Sequence, residues 1–220
     1  MFAMLLAAAL AADPAPDAWY AAKVTVKEVG FMRVGSGTPV VSENGRALIL
    51  TNAHVVRGEG DISVRVQGKD RPAKYVAGSK VVTISAQEID VLGPDLALVE
   101  VEGELDTVKV RPEPPPVGTP VYLRGFGGTS DQSVRRTGRL LDSILGPKHL
   151  AESTPTIPGD SGAGVFDADG YLVGVRWGGT TEGSYAVPIA SLRELMTERV
   201  AERFPRLTAK LNPTKSRESK

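Results

Sequence analysis

The chain has no cysteine, only two histidines and no surplus of charge of either sign. Without cysteine, disulfides and thiol catalysis are excluded. His54 and His149 stand too far apart in the chain to suggest the ligand cluster of a structural zinc or iron–sulfur site. Twenty-six Lys and Arg against twenty-six Asp and Glu leave a formal charge of zero, so nothing global draws the protein to nucleic acid or an anionic membrane surface. The apolar run Phe2 to Ala12 is too short to cross a bilayer, which takes about twenty apolar residues. Its length and the small residues Ala9 and Ala11 at its end match a secretory signal over residues 1–12, although no Lys or Arg precedes it. A secreted or periplasmic bacterial location is the corresponding expectation, with no stable membrane insertion.

What is abundant is turn chemistry. Across 220 residues, 24 Gly and 16 Pro favour many short strands joined by turns. Strands are predicted at Val24 to Val29, Pro39 to Val41, Ala47 to Leu50, Ile62 to Val66, Ala73 to Val76, Val81 to Ile84 and Leu96 to Val101. A second series follows at Val121 to Gly125, Ser133 to Leu141, Gly164 to Phe166 and Tyr171 to Trp177. Gly35-Ser36-Gly37 reads as a break, and Asn44-Gly45 and Asp169-Gly170 read as hairpin turns because Asn and Gly tolerate positive φ. The stretch Arg111 to Pro116 is rich in proline and cannot donate into a sheet, which places a domain boundary there, between residues 23–111 and 112–189. A helix over 190–205 is predicted from the Ser191 to Glu194 capping box and from Leu192, Leu195, Met196, Val200 and Phe204 on one face, with Pro205 as its stop. The basic segment 206–220 reads as a solvated, disordered tail. His149, beside Pro147 and Lys148, reads as a surface loop residue.

Three short segments carry chemistry. Thr51-Asn52-Ala53-His54 sets an imidazole at the end of an apolar strand, Gly93-Pro94-Asp95-Leu96 sets a carboxylate at the start of another, and Gly159-Asp160-Ser161-Gly162 sets a hydroxyl in a turn. A serine needs a base within hydrogen-bond reach, and the base needs an acceptor on its other nitrogen to fix its tautomer. A tight turn at Gly159 would let its amide and that of Ser161 point at one developing oxyanion. An esterase of the α/β-hydrolase kind is excluded, since it requires G-x-S-x-G and the order Ser, acid, His. Arg124 to Thr129 lacks the lysine and helix of a phosphate loop.

Each segment is weak alone; the order His, Asp, Ser makes them strong together. At these positions the sequence resembles the trypsin-like serine proteases, especially cysteine-free bacterial members related to the HtrA group. The resemblance covers about Val34 to Ile189, from the G-S-G lead-in through D-L-A-L-V and G-D-S-G-A-G-V to L-V-G-V-R-W-G-G. It implies an all-β fold of two antiparallel six-stranded barrels, chymotrypsin-like, with a C-terminal α-helix. It also implies a serine endopeptidase with a His54, Asp95, Ser161 triad, an oxyanion hole at Gly159 and Ser161, an acyl-enzyme intermediate, a polypeptide substrate and no cofactor or metal. The pocket for the residue before the scissile bond falls, by the same resemblance, on Pro155, Thr156, Ile157 and Pro158, on Arg176, Trp177 and Gly178, and on Gly183 to Tyr185. Pro155 stands where a trypsin-like preference would need a carboxylate, so small to medium aliphatic residues are expected unless Glu152 or Glu182 reaches the base. Arg176 could pair with such a glutamate or block the cleft. The chain departs from the family at Ala163 and Gly164, which replace Gly-Pro, and in having no activation sequence whose new amino terminus could pair with Asp160. Sixteen residues after Phe204 are too few for the PDZ domain of many HtrA relatives. The competing expectation is a catalytically silent protease-like domain that binds peptides or proteins.

Overall fold

The structure is a computed structural model and describes residues 20–80, 93–129, 131–143, 145 and 149–212. The leader-like run Phe2 to Ala12 and the predicted strand Val81 to Ile84 lie outside the described residues. The first barrel is built from β1 (Ala22–Glu28), β2 (Phe31–Glu43), β3 (Arg46–Thr51), β4 (Asp61–Val66), β5 (Lys69–Gly78) and β6 (Ala97–Glu102). It closes in the order β1-β2-β3-β6-β5-β4, all antiparallel, with a single helical turn, α1 (Ala53–Val56), after β3. The Asn44-Gly45 hairpin turn forms as expected, with φ of 55° and 72°.

The second barrel uses β8 (Pro120–Gly125), β9 (Val134–Leu141), β10 (Leu150–Glu152), β11 (Gly164–Asp167), β12 (Tyr171–Gly179) and β13 (Ser184–Pro188). Their order is β11-β8-β9-β10-β13-β12, and the β11–β12 pairing closes the ring. A two-residue strand, β7 (Lys109–Val110), adds in parallel to β12. The chain therefore joins the second barrel ahead of the proline-rich stretch, so the passage between barrels begins after Glu102 rather than at Arg111.

Burial on both faces explains the apolar runs. In β3, Ala47 and Ile49 point into the first barrel, whereas Leu48 and Leu50 point into the seam between barrels. β6 repeats the pattern, with Ala97, Val99 and Val101 inside and Leu98 on the seam. Across the seam Tyr122 and Phe166 stack at 5.2 Å between ring centroids, while Leu123 and Val165 fill the second barrel. The seam is the larger core, and it is completed by residues after the second barrel: Leu192, Leu195, Val200, Phe204, Leu207 and Leu211.

Four expectations need correction. Gly35-Ser36-Gly37 does not break the chain but lies inside the continuous thirteen-residue strand β2. Its glycines serve close packing: a Cβ on Gly35 would lie 2.8 Å from both Val55 methyls, and one on Gly37 would lie 2.7 Å from Ile49. The helix expected over 190–205 is three pieces, a 3-10 segment Ile189–Leu195, then α2 (Glu198–Arg203) and α3 (Pro205–Leu211). Ser191 makes no cap; Thr197 caps α2 by accepting from the Val200 amide, and Pro205 opens α3 because a first-turn residue needs no amide donor. Residues 206–212 are thus ordered, with Leu207 and Leu211 fully buried, and 213–220 lie outside the described residues. Finally, His149 is only 2% exposed, its ring 5.6 Å from that of Trp177 in β12.

Candidate active site

His54 sits in α1, directly after β3, and Asp95 sits in the turn that starts β6, the strand paired with β3. That pairing brings the two segments together. Asp95 is fully buried and contacts His54 twice: Oδ2 lies 2.6 Å from Nδ1, and Oδ1 accepts the His54 amide at 3.1 Å. Asn52 donates to the Asp95 carbonyl at 2.6 Å and so anchors the carboxylate's backbone. A carboxylate at that distance places the ring proton on Nδ1, which leaves Nε2 as the acceptor. The ring is 9% exposed, so one edge reaches solvent.

Ser161 lies in the turn before β11, which is tied to β12 by the Gly162 amide donating to the Arg176 carbonyl at 2.8 Å and also docks on the first barrel. Its carbonyl accepts the Ser36 amide at 2.7 Å, and a Cβ on Gly35 would come within 2.9 Å of that same carbonyl while touching Val55 of α1. Serine and histidine segments therefore meet across β2. Gly162 has φ +89°, and a side chain there would strike the Ser36 carbonyl and the Thr51 hydroxyl. The turn itself is closed by Asp160 N–H donating to Ile157 at 3.1 Å, with Gly159 at φ +95°. Among the described residues the amides of Gly159 and Ser161 have no acceptor and Ser161 Oγ makes no hydrogen bond.

Asp160, beside the serine, is fully buried and neutralised by two guanidinium groups, Arg136 and Arg176, the latter at 3.0 Å. Arg176 is 1% exposed and reaches further. It donates to the carbonyls of Thr154 and Pro155 at 2.9 and 2.8 Å and approaches Thr156 Oγ1 at 3.3 Å. Its Nε stands 3.7 Å from Glu152. Burial pushes the Arg176 guanidinium down, and the Glu152 and Asp160 charges pull it back up. Glu152 is also held by the Ser184 and Thr154 hydroxyls, at 2.6 and 2.5 Å. Of the alternatives weighed for Arg176, pairing with Glu152 is the one the structure adopts; Glu182 is exposed.

Among the other expected pocket residues, Trp177 is buried against Tyr185, with ring centroids 5.9 Å apart, while Thr156, Ile157, Gly178 and Gly183 are half-buried. Pro155 and Pro158 are exposed. The Thr156 amide donates to Thr180 at 2.9 Å and so ties the two walls together. Sequence reasoning missed Ser36, Asn52 and Arg136 as parts of this site. Only the G-S-G spelling pointed to the first of them. Among the described residues no cluster of His, Asp and Glu could hold a metal, and no helix is long and apolar enough to cross a membrane.

Two closed barrels with an imidazole–carboxylate pair and a serine turn at their seam define the chymotrypsin-like class. The description of the trypsin-like peptidase domain matches residues 35–175, and the chain belongs to that family. Among curated proteins it is similar to a probable periplasmic serine endoprotease, DegP-like, of Halomonas elongata, at 28% identity over 71% of this chain and 33% of the relative. A protein of the same description from Marinomonas sp. is 31% identical over 70% of this chain and 33% of its own length. The chain thus spans about a third of the length of these relatives. A serine endoprotease from Yersinia pestis shares the fold at TM-score 0.70 and 19% identity, covering 85% of this chain and 65% of that one. The active form of the Rv3671c protease from M. tuberculosis gives 0.66 and 19%, over 83% and 81%.

Proposed function

We propose that the protein is a serine endopeptidase in which Ser161 attacks the peptide carbonyl, His54 takes and returns the proton, and Asp95 orients the imidazole and stabilises its protonated form. The observation that carries this is the 2.6 Å contact between His54 Nδ1 and the buried Asp95, which leaves Nε2 as the acceptor, while β2 holds the serine turn beside the helical turn that carries His54. The looseness of Ser161 Oγ fits an unliganded site, where catalytic hydrogen bonds tighten only with substrate. The uncommitted amides of Gly159 and Ser161 are the donors for the oxyanion. Attack forms an ester on Ser161 and releases the amine with the proton from His54; water then hydrolyses the ester by the same route.

The neutral balance of Arg136, Arg176, Asp160 and Glu152 beside the pocket wall leaves no spare carboxylate for a substrate Lys or Arg and no spare cation for an acidic residue. Small to medium aliphatic side chains such as Ala, Val or Leu are therefore the proposed preference. The periplasmic description of the relatives, together with the leader-like Phe2 to Ala12, supports a secreted or periplasmic location.

The test is labelling by a fluorophosphonate probe and cleavage of casein and a peptide library, each compared with Ser161→Ala. Wild type should label and cut, and the variant should lose at least about three orders of magnitude in kcat. Chelators should have no effect. A wild-type protein that neither labels nor cleaves would show a silent binding domain instead. A profile dominated by Lys or Arg would overturn the pocket reading alone.

A further inference from the structure

Ser36 is a fully buried polar residue of the first barrel, and two of its hydrogen bonds lead to the serine turn. Its amide donates to the Ser161 carbonyl at 2.7 Å, and its own carbonyl accepts the Thr51 hydroxyl at 2.7 Å. Its Oγ accepts the Phe126 amide at 2.8 Å and lies 2.8 Å from the Gly159 carbonyl. A hydroxyl has a single proton. With the Phe126 N–H on one lone pair, that proton is directed at Gly159, which can only accept.

The Gly159 carbonyl belongs to the peptide that leads into Asp160. The peptide before it is also held, because the Pro158 carbonyl accepts the Gly128 amide at 2.8 Å. A trans peptide is planar, so fixing the Pro158 carbonyl aims the Gly159 N–H the opposite way. Glycine at φ +95° has no Cβ to restrict rotation of these two planes: the first carries the Gly159 N–H, and the second fixes where the Gly159 Cα that bears it sits relative to Ser161. Ser36 grips the second plane from the opposite barrel, while its own amide grips the carbonyl of the nucleophile. Asp160 and its guanidinium partners hold the side chain between these two carbonyls but touch neither of them.

We propose that Ser36 is a positioning residue of the oxyanion turn: by holding both the Gly159 and Ser161 carbonyls it fixes the spacing of Gly159 from the nucleophile, so that the amide whose direction Gly128 sets stays within reach of the developing oxyanion. The proposal rests on the reading of Ser161 as nucleophile and of Gly159 and Ser161 as oxyanion donors. It also supplies, within the folded chain, a constraint on this turn that does not depend on a newly cut amino terminus.

The test compares Ser36→Ala with wild type and with Thr38→Ala, which removes a buried hydroxyl from the same strand that has no hydrogen-bond partner. Ser36→Ala should lower kcat on a peptide substrate by about tenfold to a hundredfold with KM within about twofold. Affinity for a peptide aldehyde, which forms a tetrahedral adduct on the serine, should fall by the same factor, and affinity for the product peptide should not. Thr38→Ala should keep its kcat. If Ser36→Ala does not fold, Ser36→Cys keeps the volume with a weak donor and is read by the same criteria. An unchanged kcat, an effect confined to KM, or an equal loss in Thr38→Ala overturns the proposal while labelling of wild type, absent in Ser161→Ala, leaves the triad intact. If wild type neither labels nor cleaves, the triad reading and this proposal fall together.

Discussion

Asp160 shows how much a single side chain beside Ser161 is asked to hold. Its carboxylate is the counter-charge of Arg136 and Arg176 and also accepts the Ile157 amide at 3.2 Å. Asp160→Asn removes the counter-charge shared by the buried Arg176 and the half-buried Arg136, leaving Glu152 beside Arg176 only, and removing one member of a buried ion pair costs about 3–5 kcal/mol. Thermal unfolding should therefore fall by roughly ten degrees, and fluorophosphonate labelling should be lost, because the turn is tied down through this side chain. An unchanged melting temperature would show that solvent reaches the group. At this scale the His54–Asp95 contact and the turn at Ser161 were legible because each lies in a short motif whose chemistry is local. Ser36, Arg136 and His149 were not, since what they do depends on partners far away in the chain: Ser36 meets Gly159 across 123 residues. Trp177, which packs on His149, was expected in the pocket wall, but nothing near position 149 in the sequence announces that contact.

At the scale of elements, the strands of the first barrel and β8, β9, β11 and β12 of the second were readable from their apolar runs and the Asn44-Gly45 turn, β10 and β13 were not, and the other misreadings fall where glycine or proline has two meanings. In β2 the glycines mark close approach, not a turn. Gly35→Ala should therefore push α1 and the serine turn apart, since its methyl would meet both Val55 methyls at 2.8 Å and the Ser161 carbonyl at 2.9 Å. The expected outcome is a loss of at least about tenfold in kcat, with part of the activity returning in Gly35→Ala/Val55→Ala, where the methyl contacts are gone and the carbonyl contact remains. Steady-state kinetics on the single and double variants decide this, and equal activities in the two would reject it. Pro205 was misread for a related reason: proline ends a helix it falls within but begins one it falls at the front of, and only the Thr197 cap and the chain reversal at Phe204 reveal which applies here.

Over the whole molecule, the seam core is sealed by α3, which lies along β2. Lys210 reaches in to donate to the carbonyls of Val40 and Val108, at 2.7 and 3.1 Å, and to the Thr107 hydroxyl at 3.2 Å. Lys210→Met should lower stability by about 1–3 kcal/mol at neutral pH, because those acceptors lose their donor. Burial pushes the Lys210 ammonium below the usual lysine range, with the Arg206 charge acting the same way and Glu43 opposing. With the folded-state value below the unfolded one, the unfolded chain holds more protons in the interval between them. This contribution is therefore complete above the ordinary lysine range and is lost as pH falls through the lowered value. The gap in melting temperature between wild type and Lys210→Met should widen from neutral to alkaline pH; a constant or shrinking gap would contradict the buried-ammonium account.

The same latch sets an order of events during synthesis. Val40 and Lys210 are 170 residues apart, and the apolar side chains of Leu48, Leu50 and Leu98 that α3 and its neighbours help to cover belong to strands made long before residue 205. The first barrel can pair its strands early, yet its seam face stays open to water until most of the chain exists. Closure of so long a loop is slow, and a waiting apolar face is sticky. A nascent chain stalled before α3 should accordingly be held by chaperones or degraded, and productive folding should be a single late step in which the cleft between the barrels, the serine turn and the final helix all form at once.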